Sequence, residues 1–471
     1  MPVRHCVSRL ACTSPVGGVS GVCRVRPGRP GCRPPRRQAG VVLVLCLALL
    51  LLGALGLHLS FAAGRAFTER ERLDAAADAA AYSAALWQAR VLNYQALANR
   101  AIVAHEVAIA QAVTLASWAR YFARFSQSAS VLAAPWPPVA GALAAVQDAA
   151  GVVAEITEQV TGEEVAMRSA DSRLLAAGQE FLQLSVGGFA ASAVANEIVR
   201  SADPRFFAFT LPLPASVVPT RRHAGDDRTR LFEVVRRSLD DFVLGPRGLD
   251  LPLYLLPSPC FGSPGAGWSA WFSMLRKRGG TTMGPDLQRW EAADTLSLHT
   301  HLPQRGWFGW FQGCRQVEAL PLAWGAAEAA SPPAGMLVGD PGQVRENPSA
   351  AALAEQTLAA SPIAGMSAYP GMPVVRELDH GALADTRFPV ARLAVLARAP
   401  APAGRGAGRL ALPSAETAGQ LWSLASAEVY FRRPPGEPTR VEYASLFSPY
   451  WQARLVEPSA LERVVAAGYA R

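Results

Sequence analysis

The sequence predicts an α+β protein in which a single N-terminal transmembrane helix continues into a long alanine-rich helical region and is followed by an exported mixed α/β globular domain. Three observations predict this fold class. An uncharged apolar run covers residues 41–63, a stretch without proline or glycine covers residues 68–134, and short β-prone runs alternate with loops after Pro204. The 471 residues, half of them hydrophobic, suffice for a sizeable core and several structural units.

Composition changes along the chain define four parts. Residues 1–39 are expected to form a basic, disordered cytoplasmic tail, residues 40–63 a transmembrane helix, residues 64–203 a helical hairpin or bundle, and residues 204–471 an exported α+β domain. The tail holds eight arginines and no acidic residue, so it accounts for the whole net charge of +8. The neutral remainder lacks the basic face that phosphate binding requires, and we expect no nucleic-acid partner.

The beginning of the tail has two interpretations. Residues 1–35 mix arginine, proline, glycine and cysteine without hydrophobic periodicity, so we expect no packed element there. They are either a disordered tail or the product of a start codon placed too far upstream. Four cysteines lie in this stretch at spacings that match no zinc site: Cys6, Cys12, Cys23 and Cys32.

The apolar run from residue 41 to 63 predicts a membrane span. It has no charged side chain and, as a helix, would span about 34 Å, which matches the hydrocarbon core of a bilayer. The alternatives are a buried core helix and the apolar centre of a cleaved signal peptide, which is only about 7–15 residues long. Because Arg33, Arg36 and Arg37 crowd its amino side, the positive-inside rule places the N-terminus in the cytoplasm and about 400 residues on the outer face.

The alanine-rich region predicts two packed helices. The stretch 68–134 consists mainly of strong helix formers, and the sequence PWPP at 135–138 ends it. A second helical region follows at about 140–200, where Gly151, Gly162 and the glycine pair at 187–188 predict bends or breaks. We expect an antiparallel hairpin or small bundle. Six alanines offer a smooth face for close packing of another helix, unless this is a surface helix without a partner: Ala75, Ala76, Ala77, Ala79, Ala80 and Ala81.

Cys260 and Cys314 are the two cysteines of the predicted exported part. In an oxidising compartment an even pair favours a disulfide, and closing a loop of about 54 residues would stabilise the domain by roughly 4 kcal/mol. Two buried free thiols are the alternative.

The sequence motifs do not assemble into a catalytic or metal-binding site. HEVAI begins like a zinc-protease helix, but Ile109 stands where the second histidine would be. GMSAY at 365–369 and GWSAW at 267–271 lack the closing glycine of a nucleophile elbow. His299 and His301 would share one side of a strand, but no acidic or cysteine partner is near, so surface or capping roles are favoured. We predict no enzyme, no cofactor and no metal site.

Residues 36–57 read RRQAGVVLVLCLALLLLGALGL and residues 70–86 read RERLDAAADAAAYSAAL. Together they resemble the N-terminal segment of the TadE/TadG-like proteins of Flp pilus assembly in bacterial tight-adherence systems. Residues 89–122 and YASLFSPYWQARL at 443–455 are similar to the family members with a large exported domain. The resemblance implies a single-pass inner-membrane protein, periplasmic in bulk, that supports a pilus machine and contacts pilus-assembly or pilin-like proteins through helix packing. It does not imply an enzyme.

Gly40 is the position at which a prepilin-like member of this family would be cleaved. Cleaved members usually carry a glutamate at the fifth mature position, which is Leu45 in this sequence. TadG-type members are generally uncleaved, and the large exported part makes this chain more similar to them. Processing after Gly40 is therefore not expected.

The leading functional hypothesis is a membrane-anchored structural or assembly component of a Flp-type pilus or a related secretion system. The alternative is a membrane-anchored periplasmic ligand-binding or sensor protein whose tryptophans hold a ligand, although such residues more often form core. An envelope hydrolase is disfavoured by the missing motifs. The sequence does not predict the oligomeric state. The tryptophans in question are Trp268, Trp271, Trp307, Trp310 and Trp324.

Overall fold

The computed structural model describes most of the chain from Ala39 onward. The described residues are 39–132, 135, 137–186, 188–213, 216–223, 226–263, 270–383, 389–400, 420–433 and 442–470. Apart from residue 39, the predicted cytoplasmic tail and its four cysteines lie outside them. The chain divides into two compact units, residues 1–64 and residues 65–471.

The first unit contains the beginning of helix α1 (Ala39–Leu132). Every side chain from Val42 to Ala63 is exposed, although most of them are leucine, valine or alanine. By length and composition, two helices in the described part of the chain could cross a membrane, namely α1 from Val42 and the helix that begins at Pro137. A transmembrane helix at 40–63 stays a prediction.

The second unit combines long helices with antiparallel sheets, and the protein is therefore of mixed α/β architecture. Besides α1, its helices are α2 (Pro137–Val186), α3 (Gly188–Ala202), α4 (Asp226–Ser238), α5 (Asp241–Leu244), α6 (Pro348–Ala360), α7 (Ala364–Ser367) and α8 (Ala460–Tyr469). Its strands are β1 (Phe207–Thr210), β2 (Thr220–Arg222), β3 (Leu249–Pro257), β4 (Phe272–Met283), β5 (Trp290–Arg305), β6 (Phe311–Ala329), β7 (Arg376–Leu378), β8 (Val390–Pro400), β9 (Gln420–Phe431) and β10 (Trp451–Val456).

The sheet β1-β8-β9-β10 lies between helices on both faces. Successive side chains of a strand point to opposite faces. Leu393 and Val395 of β8 accordingly share a core with α1 and α3, whereas Ala394 and Leu396 share another with α8. The core shared with α1 and α3 contains residues from both sides of position 204, where the predicted helical region ends and the predicted α+β domain begins.

The sheet β3-β4-β5-β6 packs on a later part of α1. Trp290 and Ala292 of β5 join Ile102 and neighbouring residues of α1 in one core. Ala293 points to the other face and packs with Leu358 of α6. β2 and β7 form a separate two-stranded sheet. α1 is therefore the element on which both larger sheets are built.

α1 and α2 run antiparallel. Arg120 donates two hydrogen bonds of 2.9 Å to the carboxylate of Glu158, and Gln179 donates one of 2.7 Å to Asn99. From the first of these contacts to the second, the residue number falls along α1 and rises along α2. The two helices therefore run in opposite directions. Arg120 also donates to two backbone carbonyls, one of them Ala326 of β6, so it fixes the helix pair to the sheet.

α2 runs unbroken through Gly151 and Gly162, where the sequence predicts bends. Gly162 instead permits a close approach between two helices, because it lies against the backbone of α7. A Cβ on Gly365 of α7 would clash with the carbonyl of Gly162. Two glycines permit this approach because neither carries a side chain. A break near 187–188 is present, because α2 ends at Val186 and α3 begins at Gly188.

The alanine face of α1 is narrower than predicted, and the chain itself covers it. With 3.6 residues per turn, seven successive positions encircle a helix and cannot share one face. The buried alanines pack against α3 and the sheet β1-β8-β9-β10, so they are not available to a partner helix. Ala76, Ala77, Ala80 and Ala81 are buried, whereas Ala75 and Ala79 are exposed.

Candidate functional site

Two segments that are distant in the sequence, 89–122 and 443–455, contact each other. Asn93 of α1 donates through Nδ2 to the carbonyl of Trp451 (2.9 Å) and accepts through Oδ1 from its N–H (3.0 Å). Two turns further on, Nδ2 of Asn99 donates to the carbonyl of Leu446 (2.7 Å). These amides hold the C-terminal segment on α1 at two points.

A second layer of polar side chains orients these contacts. Gln179 of α2 donates to Oδ1 of Asn99, which leaves Nδ2 of Asn99 directed at its backbone partners. Oε1 of Glu377 accepts from the N–H of Leu446 (3.0 Å). Asn99 and Gln179 are fully buried. Because an unpaired buried amide costs about 1–3 kcal/mol, the network fixes one position of the segment.

A cleft of about 1120 Å³ opens beside this junction. It lies between α1, α4, the residues after β7 and residues 443–447. Val103, Val107 and Leu231 are among the apolar side chains that line it. Arg100 and Arg230 are exposed at the cleft, and in the part of the chain that the structure describes neither forms an ion pair. An apolar surface next to two available guanidinium groups suits an amphipathic anion.

Among the described residues that line the cleft, neither of the two serines, Ser238 and Ser445, contacts a base. Ser445 accepts from the N–H of Phe447, and the buried Glu377 lies 3.9 Å from His223 while it receives backbone N–H groups. Within the described ranges, no group of three histidine, cysteine or acidic side chains could hold a metal ion.

Glu106 and Ile109 of the HEVAI motif lie in the core, whereas Val107 lines the cleft. His105 bonds Ser172 of α2 at 3.1 Å, and Ile109 is fully buried. Glu106 is also fully buried and accepts from the Tyr369 hydroxyl (2.7 Å) and the Trp290 indole (3.1 Å). Burial raises the pKa of Glu106 to about 7, although these two hydrogen bonds counteract the shift. Glu106 is therefore a titratable group inside the core, and it is not one of the residues that line the cleft.

The sequence RKRGG at residues 276–280, which taken alone is typical of a solvated turn, lies within β4, where Lys277 contacts a buried carboxylate. Asp294 is fully buried and receives two hydrogen bonds of 2.9 Å from Arg247, in a bidentate arrangement. Lys277, the only lysine of the sequence, donates to it at 3.1 Å, and Ser117 of α1 donates at 3.0 Å. The cluster compensates a buried charge and fixes α1 to the sheet.

The structure includes both cysteines of the candidate disulfide, and also Gly40, the position at which a prepilin-like protein would be cleaved. Cys260 and Cys314 are bonded to each other, with their Cα atoms 6.4 Å apart. The bond joins the turn after β3 to the start of β6. Gly40 lies in the first turn of α1.

The remaining sequence candidates do not converge. His299 is buried and bonds Asn347 at 2.8 Å, so the surface role favoured from the sequence is wrong for this residue. Burial also lowers the pKa of His299, and His301 is half-buried. Ser367 donates to a carbonyl of its own helix. Trp268 and the GWSAW serine lie outside the described residues. Trp271 and Trp324 are half-buried, Trp307 and Trp310 are exposed, and none of these four lines the cleft.

Comparison of the chain with protein-family models, with curated proteins and with solved structures gave no match.

Sequence reasoning missed Asn93, Asn99 and the Asp294 cluster. A usable signal was present, since α1 carries amides and hydroxyls among alanines at positions that fall on its buried side, such as Gln95 and Asn99 one turn apart. That pattern marks polar contacts inside the fold. It does not name their partners, which are hundreds of positions away in the sequence.

Proposed function

We propose that the protein is a membrane-anchored structural or assembly component of a Flp-type pilus or a related secretion system, similar to TadG. It is a single-pass protein of the inner membrane with a cytoplasmic N-terminus and a periplasmic C-terminal bulk. The observation that carries the proposal is that two segments similar to members of this family, 89–122 and 443–455, are joined by the amide contacts of Asn93 and the buried Asn99. Such contacts are what a shared architecture would require of both segments.

The exposed apolar part of α1 supports the anchor. Its side chains from residue 42 to 63 face outward all round, and such a surface is stable in a hydrocarbon layer and unfavourable in water. Partner contact cannot use the buried alanines of α1, so pilin-like or pilus-assembly proteins must bind elsewhere on the surface. The proposal assigns no catalytic step to the protein.

A first experiment tests the anchor alone. Leu50→Arg places a charge in the apolar run, and each such charge costs about 2.5–3.5 kcal/mol at the centre of a membrane helix. We expect this variant to be lost from carbonate-washed membranes. Leu97→Arg, at another exposed leucine of α1, is the matched control and should stay with the membrane. Equal retention of both variants would contradict the anchor.

A second experiment tests the assembly role. The tagged full chain is recovered from the membrane fraction of its native cell, and its partners and its own N-terminal peptides are identified by mass spectrometry. We expect pilus-assembly or pilin-like proteins, together with a peptide that spans Gly40 and Val41. Absence of such partners would refute the assembly role, and a mature terminus at Val41 would identify a processed pilin-like subunit.

The cleft favours a second candidate function, a membrane-anchored periplasmic ligand-binding or sensor protein. Its apolar walls and the guanidinium groups of Arg100 and Arg230 suit a ligand with one anionic end and one apolar end. The probe is octanoate, titrated calorimetrically into the full chain in nanodiscs, with empty nanodiscs as the blank. Saturable heat that disappears in an Arg100→Ala/Arg230→Ala variant supports this function. Heat equal to the blank contradicts it.

A further inference from the structure

A row of apolar side chains runs along the solvent side of α2. Its members are spaced seven residues apart, and every one of them is exposed. They are Val139, Val146, Val153, Val160, Met167, Leu174 and Phe181. Isolated exposed apolar residues are normal, but a regular row along almost the whole of a 50-residue helix is not.

A second row lies three positions after the first. All of its members are exposed as well, and most are alanine or larger aliphatic residues. They are Ala142, Ala149, Ile156, Glu163, Ala170, Ala177 and Leu184. The two rows, here called the α2 stripe, occupy positions a and d of a heptad repeat. A period of 3.5 residues is the pattern by which one helix supercoils around another.

The opposite side of α2 is already occupied. Thr161, Val165, Ser172 and Gln179 are buried there, and Gln179 bonds Asn99 of α1. α2 is thus fixed on the second unit by one face and presents the α2 stripe on the other. In the described part of the chain, the members of the first row from Val146 to Leu174 all stay exposed.

We infer that the α2 stripe is the seam of a parallel two-stranded coiled coil between two copies of this chain. Four successive valines at position a favour two parallel strands, since β-branched residues pack well at that position in dimers. Alanine at most d positions allows the helix axes to approach closely. The apolar members expose roughly 1000 Å² per copy, which is comparable to the roughly 800 Å² that each partner buries in a stable interface.

Acidic side chains along the stripe argue against a lipid surface as its partner. Glu163 is exposed within it, and Glu164 and Asp171, each one turn from members of the first row, lie beside it. Anionic headgroups would repel these carboxylates, and a helix that lies on a bilayer needs a broad apolar face flanked by basic residues. A seam of two narrow rows fits a second helix better.

Glu163 is the charged member of the stripe and limits its affinity. In a parallel, in-register pair it faces Glu163 of the second copy, and two like charges in one layer repel each other. Glu163→Ala should therefore lower the dimer dissociation constant by about tenfold. Glu155→Ala removes an exposed acid of α2 that lies outside the stripe and is the matched control, for which we expect little change.

Cysteine crosslinking tests the identity and direction of the partner. The full chain is prepared with serine in place of Cys46 and of the cysteines of the tail, and Leu174→Cys is introduced into this background. In a parallel pair the two new thiols share a layer, so oxidation should give a covalent dimer in membranes. Val464→Cys, at an exposed position of α8, is the control and should give none.

The outcomes separate the possible partners. A dimer with Leu174→Cys, lost when Val160→Asn is added, supports the coiled coil; the asparagine should raise the dissociation constant about tenfold in sedimentation experiments. Crosslinking of Leu174→Cys to a different protein, or to nothing, would overturn the proposal. Equal crosslinking of the two cysteine variants would also overturn it, since that result signals random collision.

Discussion

Replacement of Glu106 by glutamine should change how the stability of the protein depends on pH. The carboxyl group is fully buried in the core between α1 and β5, and burial raises its pKa from an ordinary 4.5 to about 7. Between these two pH values the folded chain keeps a proton that the unfolded chain has released. The free energy of unfolding therefore falls as pH rises from 4.5 through 7, by about 3 kcal/mol in total.

Glutamine has nearly the same size and keeps an oxygen that can accept from Tyr369 and Trp290, but it does not titrate. Unfolding of the full chain in detergent by urea, at pH 4.5, 6 and 8, measures the free-energy difference between wild type and Glu106→Gln. That difference should change by about 3 kcal/mol in favour of the variant between the lowest and the highest pH. Glu155→Gln, at an exposed site, is the control. Parallel pH profiles of wild type and Glu106→Gln would refute the reasoning.

Three further perturbations test the packing of the second unit. Asn99→Ala should cost about 1–3 kcal/mol, because it leaves buried carbonyls unpaired, and should speed amide hydrogen exchange in residues 446–451; unchanged exchange would contradict the role of this amide. Gly325→Ala should lower the melting temperature, at a cost of about 1–3 kcal/mol, because a Cβ there would meet backbone atoms of α1, whereas Gly468→Ala meets nothing and should have no such effect. Serine in place of both Cys260 and Cys314 should reduce the free energy of unfolding by roughly 4 kcal/mol, and a loss below 1 kcal/mol would show that the loop is already constrained.

Elements with a strong local signal could be predicted from the sequence. The stretch 68–134 lacks proline and glycine, and α1 runs through it to Leu132 before the PWPP sequence. The change to strands after residue 204 also follows from local composition. Gly162 could not be interpreted in the same way, because its role depends on α7, two hundred residues away. A glycine that breaks a helix and one that permits a close approach look identical in sequence.

The candidate site was less predictable, for a physical reason. Asn99 and Asp294 are unremarkable in sequence, and their partners are separated from them by long stretches of chain. Lys277 sits in a run of charges next to two glycines, which is typical of a solvated turn. Its ammonium group is placed instead on a strand that faces α1, where the buried carboxylate of Asp294 binds it. Tertiary pairing decides such positions, and a local pattern does not contain it.

The two alanine-rich helices show how the distribution of polar residues reveals what a face contacts. On α1 the buried side carries polar groups such as Glu106 and Ser117, which bond residues of β5 in the same chain. On α2 the buried side carries Ser172 and Gln179, while the outward side repeats aliphatic residues every seven positions. An ordinary surface helix has the reverse distribution, with its polar side in water. The inversion on α2 would cost stability in a monomer exposed to water, and a second helix that covers the aliphatic row removes that cost.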